Sequence, residues 1–145
     1  MLWTGKDFVI IDFEGEPARP LSSRRRKRSA LVDVAGMVRS FHYASKVAGQ
    51  RVSRDLLASR DVATLDPILT LWYRAVAAAF LRSYLAHAND AAFIPTDRDE
   101  LIALLDFLLL EKAIYEIGYE ADNRPDWLDV PAQGVLDLLD ARSAR

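Results

Sequence analysis

The chain has 145 residues, of which 51% are hydrophobic and 28% are charged. This length and balance fit one globular domain with a modest core and exclude a disordered chain. No apolar run approaches the roughly 18 residues of a membrane span, and the first residues lack the basic-then-apolar order of a secretory signal. Cysteine is absent, which excludes disulfides and thiolate chemistry. We therefore expect a cytoplasmic protein that does not contact a membrane.

Charge is spread unevenly along the chain. Residues 1–54 carry 11 Lys/Arg against 5 Asp/Glu, which gives +6, whereas residues 55–145 carry 8 against 16, which gives −8. Such asymmetry can mark an end that faces a polyanion. Arginine outnumbers lysine 15 to 4, and a GC-rich genome would produce that bias without any function behind it. Composition alone leaves both interpretations open.

A short β-hairpin is predicted at the N-terminus. Residues 8–13 (Phe-Val-Ile-Ile-Asp-Phe) form an apolar, β-branched run between turn formers, which predicts a buried strand. Leu2 and Trp3, followed by turn formers at residues 4–7, predict a preceding short strand and a turn. Residues 15–30 contain two prolines and a basic cluster, so we expect an irregular loop there.

Everything after residue 30 is predicted to be helical. Apolar residues recur at helical spacing in four segments, approximately residues 31–48, 66–87, 97–120 and 133–141. The second helix is predicted to begin at Asp66-Pro67, because Asp caps free amides and Pro is tolerated at the first helical position. Asp97 with Glu100 resembles a capping box, which predicts the start of the third. The fold class is therefore mainly α with a short N-terminal β-hairpin.

Asp12 is the best candidate for chemistry, since it lies at the end of the apolar strand. A carboxylate at a strand terminus is well placed to hold a divalent cation on nucleotide phosphates. Glu14, two residues further on, lies within reach of the same ion. The alternative is an Asp that ends a strand as a turn former, which is common. Asp12 and Glu14 are the predicted metal ligands.

Lys112, Tyr115 and Tyr119 are spaced i, i+3 and i+7, so they share one face of the predicted third helix. Aromatic rings beside charged groups suit a sugar, because the rings stack on its apolar face and the charged groups bond its hydroxyls. The alternative is a set of amphipathic tyrosines at the edge of a core. Three carboxylates accompany this face: Glu111, Glu116 and Glu120.

The basic cluster at residues 24–28 (Arg-Arg-Arg-Lys-Arg) is of a kind that binds nucleic acids. No aromatic residues interleave with these charges, as a nucleic-acid surface would require. A solvated loop, or pairing with the acidic half, is the alternative that we favour, and we expect no nucleic-acid partner. The two histidines, His42 and His87, lie on separate predicted helices with no acid at metal spacing, and each is expected at the surface or an edge.

Five stretches of the chain resemble bacterial maltokinases. Residues 7–21 resemble the metal-binding segment of that family, and the similarity continues through residues 24–29, 33–41, 110–116 and 123–127. It covers nearly the whole chain. Maltokinases share the aminoglycoside-phosphotransferase-like version of the kinase fold and are often fused to trehalose synthase. The resemblance therefore implies the C-terminal lobe of a protein-kinase-like fold.

The resemblance implies a reaction in which ATP and maltose give maltose 1-phosphate, which feeds α-glucan (glycogen) synthesis. Asp12 would be the magnesium-holding carboxylate that follows the catalytic loop. Lys112, Tyr115 and Tyr119 match the helical region that lines the maltose pocket. Asp33 matches an Asp with a mainly structural role at the start of a helix in the wider phosphotransferase family.

The chain departs from the family in one large respect. Family members carry a His-Gly-Asp catalytic segment just before the hairpin and a nucleotide-binding N-terminal lobe, and these 145 residues contain neither. We therefore expect one partial domain without a catalytic base, inactive alone, whose partner is an N-terminal kinase half or trehalose synthase. Its parts are a hairpin and metal segment (1–14), a basic loop (15–30) and a helical subdomain (31–143). The alternative is a non-catalytic helical interaction module or the partner half of a split kinase.

Overall fold

The computed structural model of the protein describes residues 2–9, 11, 20–55, 62–88 and 91–143, with backbone alone for residues 53–55 and 62–64. The described part is mostly helical, with one small antiparallel sheet at the N-terminus, as the sequence predicts. Its elements in chain order are β1 Leu2–Trp3, β2 Phe8–Val9, α1 Leu21–Arg24, α2 Leu31–Asp55, α3 Val62–His87, α4 Arg98–Asn123 and α5 Asp129–Ser143. A 3-10 turn, Pro125–Trp127, joins the last two helices.

The predicted hairpin forms from β1 and β2. Leu2 pairs with Val9 and Trp3 with Phe8, and Gly5 closes the turn with a φ of 93°, a conformation that glycine adopts without strain. The prediction of a buried strand is wrong for its described residues, since Phe8 is 62% exposed. The cause is that none of the described helices packs on the hairpin, so its aromatic rings contact each other instead, with centroids 5.0 Å apart.

α2 is the central helix of the bundle and packs against α3, α4 and α5. Its buried apolar side chains recur at helical spacing and form most of the core: Leu31, Val34, Ala35 and Val38. Leu108 and Leu109 of α4 and Ala77 of α3 complete it. Among the described elements α3 contacts α2 alone, so its opposite face remains at the surface. Within the described residues, no helix is both long and apolar enough to cross a membrane.

α3 begins one turn earlier than predicted, at Val62. Asp66 does not cap the helix, because the helix begins before it, and its carboxylate accepts a hydrogen bond from Lys46 Nζ of α2 at 3.3 Å. Pro67 consequently lies inside the helix. The neighbouring helices are also longer than predicted, since α2 continues to Asp55 and α5 begins at Asp129.

α4 begins where its capping pattern predicts. The Asp97 carboxylate accepts the Glu100 backbone N–H at 2.8 Å, which satisfies one of the free amides of the first turn. The helix continues to Asn123, three residues beyond its predicted end. Upstream, α1 is a single helical turn inside the segment that is expected to be irregular.

Candidate functional site

The three residues of the predicted sugar face lie together on the C-terminal half of α4. The rings of Tyr115 and Tyr119 stack with centroids 6.5 Å apart and an interplanar angle of 24°. Lys112 Nζ lies 5.0 Å from the centroid of the Tyr115 ring. Tyr119 is 41% exposed, so part of this ring can contact a ligand.

Arg124 and Trp127 extend this row of side chains beyond the end of α4. The guanidinium carbon of Arg124 lies 5.7 Å from the centroid of the Tyr119 ring and 4.5 Å from that of Trp127. Cations attract aromatic faces, so Arg124 holds both rings against itself. We call these five residues the aromatic row: Lys112, Tyr115, Tyr119, Arg124 and Trp127.

Sequence reasoning missed Arg124 and Trp127 as site residues. The signal was available, because both lie in the Asn-Arg-Pro-Asp-Trp stretch at residues 123–127 that resembles maltokinases. The predicted helix ended at residue 120, however. Helical spacing assigns a residue to a face only inside a helix, so it could not place Arg124 or Trp127 beside Tyr119. The structure supplies the missing information. The Arg124 backbone N–H donates to the Glu120 carbonyl oxygen at 2.8 Å, and this bond places Arg124 next to the last turn of α4.

Glu120 anchors the aromatic row to the core. Its side chain is only 2% exposed, and it accepts two hydrogen bonds from Arg124, at 2.9 and 2.8 Å. A third comes from the Tyr43 hydroxyl of α2 at 3.0 Å. Burying a carboxylate is costly unless donors of this kind bond to its oxygens. Burial, together with the hydrogen bond to Glu120, raises the pKa of Tyr43 far above its usual range, so this hydroxyl stays protonated.

Glu116 connects the same helix to α2 and α5. Nε and Nη2 of Arg39 both donate to Glu116 Oε2, at 2.9 and 2.8 Å, and Arg39 is 2% exposed. The Arg39 guanidinium lies against Gly134 of α5 so closely that a Cβ at that position would collide with it. One buried ion pair therefore fixes the position of α4 relative to two other helices.

His42 is buried in α2, contrary to the prediction of a surface or edge residue. It falls on the same helical stripe as Val38, and this stripe faces the core. Its Nε2 lies 3.3 Å from Asp137 Oδ2 of α5, and its ring packs edge-to-face against Tyr73 at 5.3 Å. Burial, aided by the nearby Arg39 cation, lowers the pKa of His42 to about 4. His87 is exposed, as predicted.

The predicted metal ligands, Asp12 and Glu14, lie outside the described residues. In the part of the chain that the structure describes, no three His, Asp or Glu side chains form a group that could hold a metal ion. Oxygen donors from carboxylates are the ligands that Mg²⁺ prefers in proteins. By this donor chemistry the pair at residues 12 and 14 stays the predicted site.

The basic segment at residues 24–28 contacts the acidic half of the chain through Arg28. The Arg28 guanidinium lies 3.5 Å from the Glu111 carboxylate of α4, and both side chains are more than a third exposed. Exposed pairs of this kind add little stability. The contact agrees with the interpretation in which the basic residues pair with acidic ones.

No protein-family model matches the chain, but its sequence is similar to curated proteins named glucosamine kinase. The glucosamine kinase of Mycolicibacterium smegmatis (strain ATCC 700084 / mc(2)155) is 30% identical over 148 residues, which cover 97% of this chain and 32% of that protein. The one from Streptacidiphilus jiangxiensis is 28% identical over 138 residues, which cover 93% of this chain and 28% of that protein. The chain thus spans about a third of the length of these relatives.

These relatives support a sugar-kinase-like relationship for the chain. At that level they agree with the resemblance seen in the residues themselves. The sugar in their names is glucosamine, whereas the resemblance implied maltose.

Proposed function

We propose that the chain is the sugar-binding helical part of an ATP-dependent sugar kinase of the maltokinase type, in the C-terminal lobe of a protein-kinase-like fold. The product would be maltose 1-phosphate, destined for α-glucan synthesis. The observation that carries the proposal is the aromatic row, in which two stacked tyrosine rings lie between two cations. The exposed part of Tyr119 offers an apolar surface to a sugar ring, and the flanking cations can donate hydrogen bonds to its hydroxyl groups.

The charges beside the aromatic row favour a neutral sugar over glucosamine. Lys112 and Arg124 place positive charge along the row. The three carboxylates that accompany the row, Glu111, Glu116 and Glu120, lie against Arg28, Arg39 and Arg124. The ammonium group of glucosamine would therefore have to compete with an arginine for any of them. It would also be repelled by the cations of the row. Maltose is uncharged, so it neither competes with an arginine for a carboxylate nor is repelled by the cations.

In the proposed kinase, catalysis is mostly positioning and charge neutralisation. Mg²⁺ bound by Asp12 and Glu14 would neutralise charge on the phosphates of ATP. The chain's own share is to hold the acceptor sugar. The exposed part of Tyr119 would pack against the sugar, Tyr115 would support Tyr119, and Lys112 would donate to a hydroxyl. The 145 residues contain no His-Gly-Asp segment, so acceptor binding, rather than removal of the hydroxyl proton, is the function proposed for them.

Calorimetric titration of the full chain with maltose and with glucosamine tests this proposal. We expect maltose to bind more tightly than glucosamine, and Tyr119→Ala to weaken maltose binding about tenfold, which corresponds to roughly 1.4 kcal/mol. Phe93→Ala is the control, since Phe93 is an exposed aromatic residue outside the row, and it should leave the affinity unchanged. Tighter binding of glucosamine, or no binding of either sugar, would contradict the proposal.

The second candidate is an interaction module or the partner half of a split kinase, and the exposed hairpin favours it. Trp3 and Phe8 are each more than half exposed, and none of the described helices covers them. A separate polypeptide, either an N-terminal kinase half or trehalose synthase, would bury these rings. Mixing with such a partner should then shift the fluorescence of the chain to shorter wavelength, and Trp3→Phe should remove that shift.

A further inference from the structure

A groove with an apolar floor lies between the start of α2 and the middle of α4. It measures about 370 Å³, and its lining residues are Arg28, Ser29, Val32, Phe107, Leu108 and Glu111. Phe107 is 60% exposed, so a large aromatic side chain in this groove remains in contact with water. Exposed apolar grooves of this kind are typical of protein–protein contact sites.

The groove is bordered by positive charge. Residues 25–27 (Arg-Arg-Lys) directly precede its wall at Arg28 and are exposed. Its one carboxylate, Glu111, already faces Arg28 at 3.5 Å. The groove therefore suits a segment that carries apolar side chains with acidic ones beside them, and we call it the basic groove.

The outer face of α5 has this complementary character. Leu136 is 54% exposed, and helical spacing places Asp129 and Asp140 on the same face. Both aspartates are exposed. We call these three residues the acidic face.

We propose that the acidic face of one copy of the chain docks into the basic groove of a second copy. Leu136 would cover Phe107 and the apolar floor, while Asp140 meets the arginines at the border. The net charge of the chain is distributed in the same way. It is +6 in residues 1–54, which include the basic border of the groove, and −8 in residues 55–145, which include the acidic face. This inference does not depend on the proposed sugar-kinase function.

The two surfaces lie on different sides of α4, so one copy can use both at once. α5 meets α4 along a small cleft lined by Asp106, Leu110, Leu138, Leu139 and Arg142. Leu136 lies two residues before Leu138 and so on the other side of α5, while Phe107 and Glu111 lie about 100° around α4 from Asp106 and Leu110. A contact between unlike surfaces is heterologous, and it builds rings or open chains rather than a two-fold dimer. The assembly should therefore grow with concentration.

Analytical ultracentrifugation with two complementary double variants tests this assembly. The groove variant is Arg26→Glu with Phe107→Ser, and the face variant is Leu136→Ser with Asp140→Lys. The unmodified chain should exceed the monomer mass of 16.3 kDa increasingly with concentration, and less so at high salt. Each variant alone should be monomeric. An equal mixture should stop at twice the monomer mass, because the groove variant keeps its acidic face and the face variant keeps its groove.

Ile68→Ser is the matched control, since Ile68 is 62% exposed on α3 and outside both surfaces. It should associate like the unmodified chain. The proposal is overturned if the unmodified chain is monomeric at 0.5 mM in about 50 mM salt, where screening is weak. It is also overturned if the mixture stays monomeric or grows past the dimer, or if Ile68→Ser removes association. Circular dichroism of each variant confirms that its helices are intact.

Discussion

Arg39 and Glu120 are buried charged residues, and each is matched by at least one oppositely charged partner. Arg39 bonds to Glu116 of α4, and Glu120 accepts hydrogen bonds from Arg124 and Tyr43. Removing Glu116 would leave Arg39 charged and buried, which costs about 3–5 kcal/mol. These residues therefore fix which helices meet, and they hold the tyrosines of the aromatic row in place.

Stability should decrease in acid because of His42. Burial and the Arg39 cation lower the folded-state pKa of His42 to about 4 from the ordinary 6.5. Between these values the unfolded chain binds a proton that the folded chain does not. The contribution of His42 to the free energy of unfolding is complete above pH 6.5 and falls as pH drops towards 4, by roughly 3 kcal/mol in all. Urea denaturation at a series of pH values measures it.

The His42→Gln variant isolates this effect. Its free energy of unfolding should vary less with pH between 6.5 and 4, whatever its absolute stability. His87→Gln, at an exposed histidine, should keep the slope of the unmodified chain. A slope that His42→Gln leaves unaltered would show that other groups cause the acid sensitivity.

Asp12→Asn should remove nearly all phosphorylation of maltose when the chain is mixed with a polypeptide that supplies the N-terminal lobe and catalytic loop. The reason is that a hard cation prefers a charged oxygen, which Asn lacks. Tyr119→Ala should instead mainly raise the KM for maltose, since the ring contacts sugar in the ground and transition states alike. An assay of ATP consumption measures both. Asp7→Asn, at an exposed position in the hairpin turn, should keep full turnover, and equal turnover for Asp12→Asn would refute its role.

At the level of elements, the contact of α5 with α2 depends on the absence of a side chain at Gly134. Gly134→Ala places a methyl group where the Arg39 guanidinium lies, and this guanidinium cannot move without weakening its bond to Glu116. We expect a loss of about 2 kcal/mol in the free energy of unfolding. Gly36→Ala is the control, because a Cβ there meets no neighbouring atom, and it should stabilise its helix by about 0.5–1 kcal/mol. Thermal or urea denaturation compares the two.

The number and order of the four long helices could be predicted from the sequence because apolar spacing and capping residues are local signals. The start of α4 at Asp97 is such a case. Asp66 shows the limit, since its carboxylate bonds to Lys46 in another helix and leaves the predicted cap unformed. The exposure of Phe8 is a second limit, because an apolar strand pattern does not reveal whether anything packs on it.

At the level of the whole molecule, the aromatic row was predictable in part. Lys112, Tyr115 and Tyr119 share a face because of their spacing alone. Their fixed arrangement depends on Arg124 and Glu120, whose bonds link the end of α4 to Tyr43 of α2, 77 positions from Glu120. Spacing within one helix carries no information about such a long-range contact.

The one-sided attachment of α3 makes the bundle unequal in local stability. Since α3 packs on α2 alone, it can detach while α2, α4 and α5 stay together, and opening of this kind requires less free energy than global unfolding. Backbone amides of α3 should therefore exchange with deuterated solvent faster than those of α2, with a mass-spectrometric readout by peptide. Detachment of α3 would expose Ala77 and the core residues that it covers. Proteases should therefore cleave this transient form most readily. Equal protection of α2 and α3 would instead show that the four long helices open as a single unit.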